Sequence, residues 1–94
     1  YFKDQIISLF ILFRCLKSGG IFVVEELDFP DTRDDMNVSK EKPSLKEILS
    51  LIEQNKDFTS KYITNDQKEY FLNNFKNIEI FKGQYNEIAF ITKK

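Results

Sequence analysis

Ile21-Phe22-Val23-Val24 is an unbroken apolar run that stops at two acids, Glu25 and Glu26. Leu16-Lys17-Ser18-Gly19-Gly20 leads into it. A strand needs such a run when helices cover both faces of its sheet. In an open α/β sheet, ligands bind beyond the carboxyl ends of the strands. Glu25 and Glu26 fall at that end. The run predicts an interior strand over 21–27, and with it a place for chemistry.

The flanking segments predict an α/β order. Residues 3–17 read as a helix, with Ile6, Leu9, Phe10, Phe13 and Leu16 at the spacing of one apolar face. Ile7, Ile11 and Leu12 widen that face, so the helix is expected to be covered on more than one side. Gly19 suits the left-handed residue after a helix end, with Lys17 near the negative end of the dipole. Residues 28–43 are polar and rich in turn formers, a loop longer than most connections. It is either a functional loop beside the strand end or a disordered insertion.

Ser44-Leu45-Lys46-Glu47 fits a capping box and predicts a helix over 45–55, burying Leu45, Ile48, Leu49 and Ile52. Thr64-Asn65-Asp66-Gln67 repeats the signal and predicts a helix over 66–75, with Tyr70, Phe71 and Phe75 inward. Residues 77–82 alternate, with Ile78 and Ile80 on one side and Glu79 and Phe81 on the other. Residues 87–92 form the second arm of an antiparallel hairpin across Gly83-Gln84-Tyr85-Asn86. Lys93-Lys94 reads as a solvated tail.

Composition narrows the partners. The chain has 94 residues, 41% of them hydrophobic and 31% charged, which fits one small globular domain. A net charge of -1 gives no basic field for nucleic acid. The apolar stretch 6–16 is shorter than the roughly 20 residues that span a bilayer, so no membrane partner is expected. Cys15 is the one cysteine and reads as a small buried hydrophobe in a reducing cytoplasm. There is no histidine, so no histidine base or metal ligand can come from these residues.

A strand buried on both faces needs neighbours on both edges. The hairpin supplies too few, so further strands are expected upstream in a longer chain or in a partner. The start at Tyr1 rather than Met agrees with a break inside a domain.

Helix, Leu-Lys-Ser-Gly-Gly-Ile-Phe-Val-Val-Glu-Glu-Leu, helices and a terminal hairpin together resemble the C-terminal half of a class I S-adenosylmethionine-dependent methyltransferase. That family carries Leu-Lys-Pro-Gly-Gly before its fifth strand; here Ser18 stands for the proline. Phe22 to Leu27 is similar to the Val-Ile-Glu-Asp-Leu stretch of the macrocin and mycinamicin sugar O-methyltransferases and the cephalosporin-hydroxylase-like group. Tyr85 to Ile91 is similar to their Tyr-Asp-Ser-Ile-Val ending. The resemblance implies a Rossmann-like sheet with a parallel strand at 21–27 and an antiparallel last strand beside it.

It also implies roles. Glu25 and Glu26 would be metal ligands, for Mg2+ or a similar hard cation. Asp28 and Phe29 would lie over the acceptor. The catalytic base, a further metal-binding Asp and the glycine-rich loop for S-adenosylmethionine would all lie upstream, in a missing N-terminal half of the same domain. The chain alone is then expected to be inactive. From the residues alone, adjacent strand residues point to opposite faces, so Glu25 and Glu26 can share an ion only if the backbone bends. The alternative is that Glu25 accepts hydrogen bonds from a helix N-terminus and Glu26 is solvated.

Three functions follow. The chain is a piece of a metal-assisted O-methyltransferase acting on a small or sugar-containing acceptor. Or it is a non-catalytic α/β module that completes a partner's sheet. Or it belongs to a hydroxylase-like enzyme of the same fold, since fold does not fix function.

Overall fold

A computed structural model describes residues 2–27, 41–84 and 86–94. Helix α1 spans Phe2–Leu12 and tightens into a 3-10 turn at Phe13–Cys15. Strand β1 follows at Ile21–Val24, then helices α2, Leu45–Glu53, and α3, Asn65–Asn74. The chain closes with β2, Phe75–Lys82, and β3, Glu87–Lys93. The protein is α/β.

The described residues form a three-stranded sheet in the order β1-β3-β2. β3 lies in the middle and pairs antiparallel with both neighbours, Phe22 opposite Ile91 and Ile78 opposite the other side of Ile91. β1 and β2 therefore run parallel to each other on either side of it.

The helices cover one face. Ile6, Leu9, Phe10 and Phe13 of α1 and the adjoining turn are buried, as are Leu45, Ile48, Leu49 and Ile52 of α2 and Phe71 of α3. They join Val24, Ala89 and Ile91 of the sheet in a single core. Phenylalanines fill its centre. Phe71 packs against Phe10 and Phe13 with ring centroids 5.1 Å and 4.8 Å apart, and stacks on Phe75 at 5.4 Å. Such contacts add to area burial because ring edges and faces carry opposite partial charge.

Both capping boxes close. Glu47 N–H donates to Ser44 Oγ at 3.2 Å, and Ser44 N–H donates to Glu47 Oε1 at 3.0 Å. Gln67 N–H donates to Thr64 Oγ1 at 3.1 Å, and Thr64 N–H donates to Gln67 Oε1 at 2.9 Å. Each pair satisfies donors that a helix start leaves over.

Four expectations are corrected. β1 is not covered on both faces: Ile21 and Val23 are 54% and 47% exposed. All the described helices pack on the other side, so alternation leaves these two residues outward. α1 is likewise covered on one side, with Ile11 and Leu12 exposed. Cys15 is exposed, because the helix tightens at Phe13 and turns it away from the core. Lys93 is not a solvated tail residue but the buried last residue of β3.

Gly19 also has another job than expected. The α-helix has already ended, and Gly20 N–H donates to Lys17 O at 2.8 Å across a four-residue turn. Gly19 takes φ +83 as its third residue, the conformation a type II turn needs there. A Cβ on Gly20 would stand 2.9 Å from Lys17 O, so the turn admits glycine at that position too.

Candidate functional site

The acid pair sits on a bend. β1 pairs regularly up to Val24 opposite Ala89. Leu27 N–H then donates to Glu87 O at 2.9 Å. The β1 side has gained one residue over β3, the arrangement of a bulge. Glu26 absorbs it with φ 56, a left-handed conformation uncommon for a residue with a side chain.

The bulge decides which side chains face inward. Plain alternation from Val24 would send Glu26 into the core and Leu27 into water. The extra residue reverses this, since a shift of one exchanges faces. Leu27 becomes fully buried, Glu25 is exposed and Glu26 is half-buried. The bend is the condition under which two neighbouring carboxylates can leave a strand on one side.

α1 adds a second wall. Gln5 Nε2 donates to Glu26 O at 3.1 Å and holds the bent backbone. Asp4, Gln5 and Ser8 face Phe22 and Glu25 across a concavity of about 270 Å³. These α1 residues were missed in the sequence because they lie on the polar side of a helix that reads mainly through its apolar positions. Their spacing at one helical turn, Asp4 to Ser8, was the available signal.

Glu25 and Glu26 provide two carboxylates, whereas hard cations take six or more oxygens. Among the described residues no cluster of three or more metal-ligating side chains occurs. The described residues therefore do not by themselves fit a resident metal. Asp28 and Phe29 lie outside the described residues. Among the described residues no helix is long and apolar enough to cross a membrane.

Two other polar features are already internally paired. A concavity of about 480 Å³ runs along α2 past Lys42, Lys46 and Leu51. Lys42 pairs with Glu47 at 3.4 Å and Lys46 with Glu87 at 2.8 Å. Elsewhere the Tyr62 hydroxyl donates to Glu41 Oε1, which also receives Lys61 Nζ at 3.0 Å. Tyr62 foremost, then Lys61, hold the Glu41 carboxyl below its usual range, and Glu41 raises both of their pKa values. No protein-family model, curated protein or solved structure matches this chain.

Proposed function

We propose that the chain is the carboxyl-terminal part of an S-adenosylmethionine-dependent O-methyltransferase domain acting on a small or sugar-containing acceptor. The observation that carries the reading is the strand order. A strand entered through Leu-Lys-Ser-Gly-Gly pairs with the last strand, which runs antiparallel between it and the penultimate one. The resemblance implies an antiparallel last strand beside the one that Leu-Lys-Ser-Gly-Gly opens. The turn supports it as well, because Ser18 occupies the second turn position, where proline is favoured in type II turns.

In this reading the bulge at Glu26 presents both acids at the carboxyl end of β1, where α/β sheets hold their ligands. Carboxylates there accept hydrogen bonds from acceptor hydroxyls and orient them. The methyl donor and the groups that activate the acceptor belong to the N-terminal half. A metal, if used, takes its remaining ligands from there too.

The reading frame upstream of the Tyr1 codon tests this directly. A glycine-rich loop after a first strand, and an Asp-x-x-His-like element just before Tyr1, are expected. A frame carrying neither overturns the reading. Calorimetry of the 94-residue chain with S-adenosylmethionine is expected to give no heat of binding, and tight binding would equally overturn it.

A further inference from the structure

We draw no further inference here: the strongest candidate, the outer face of the sheet where Ile21 and Val23 of β1 and Phe81 of β2 are exposed beside Phe90 of β3, carries nothing, because nothing in the structure shows what covers it.

Discussion

Lys93 Nζ donates a 2.7 Å hydrogen bond to the carbonyl of Leu16, across 77 positions of sequence. It also reaches Phe13 O and Arg14 O, each at 3.4 Å. These carbonyls lie at the end of α1 and its 3-10 turn, where helices leave acceptors over and carry partial negative charge. The ammonium lies 5.1 Å from the Tyr70 ring centroid, and Lys93 is only 7% exposed. The cation expected at this helix end was Lys17. The sheet supplies it instead, through its last strand.

Lys93→Met is therefore expected to cost about 1–3 kcal/mol, the range for leaving buried acceptors unsatisfied. Lys94→Ala, one residue later and exposed, should stay within about 0.5 kcal/mol, as surface changes do. Urea denaturation of the two variants checks this. Equal effects would show that the Lys93 hydrogen bonds contribute nothing.

The capping box of α2 predicts a pH dependence. The Ser44 main-chain N–H holds the Glu47 carboxyl below its ordinary range, with desolvation opposing. A depressed carboxyl pKa adds stability above the unfolded-state value and loses it as pH falls through the folded one. Ser44→Ala is expected to cost about 1 kcal/mol at neutral pH. Glu47→Gln should flatten the acid limb of the stability curve, measured by denaturation from neutral pH down through the carboxylate range. An unchanged acid limb would remove Glu47 from the account.

The turn into β1 predicts opposite signs at neighbouring positions. Gly20→Ala places a methyl 2.9 Å from Lys17 O, so the backbone must shift. The expected loss is about 1–3 kcal/mol, the usual cost of overpacking. Ser18→Pro should gain about 0.4–1 kcal/mol, because proline restricts the unfolded chain at a turn position that tolerates it. Thermal unfolding reads both. A destabilising proline would show that Ser18 lacks the φ of a type II turn.

Phe71→Ala removes the ring that Phe10, Phe13 and Phe75 share. A loss of about 3–5 kcal/mol is expected, a large part of a small domain's total stability. Leu72→Ala, on the exposed side of the same helix, should cost far less. Chemical denaturation compares the pair.

Periodicity and capping chemistry are local, and they were legible. Ser44 and Thr64 mark helix starts through side chains that bond a few residues away, so neighbouring letters determine them. The apolar positions of α2 and the alternation of β2 follow in the same way, because helix and strand geometry repeat at fixed spacing. The acids at the end of β1 were visible for the same reason.

Tertiary structure decided the rest. The bulge that turns Leu27 inward depends on its N–H pairing with the carbonyl of Glu87 in β3, far along the chain. The burial of Lys93 depends on carbonyls 77 or more positions away. Ile21 and Val23 read as interior because composition reports what a strand is suited to, while exposure reports what actually lies against it. The segment itself determined a ribbon fit for burial on both faces. Only the packing of every described helix on one side determined that Ile21 and Val23 stay exposed on the other.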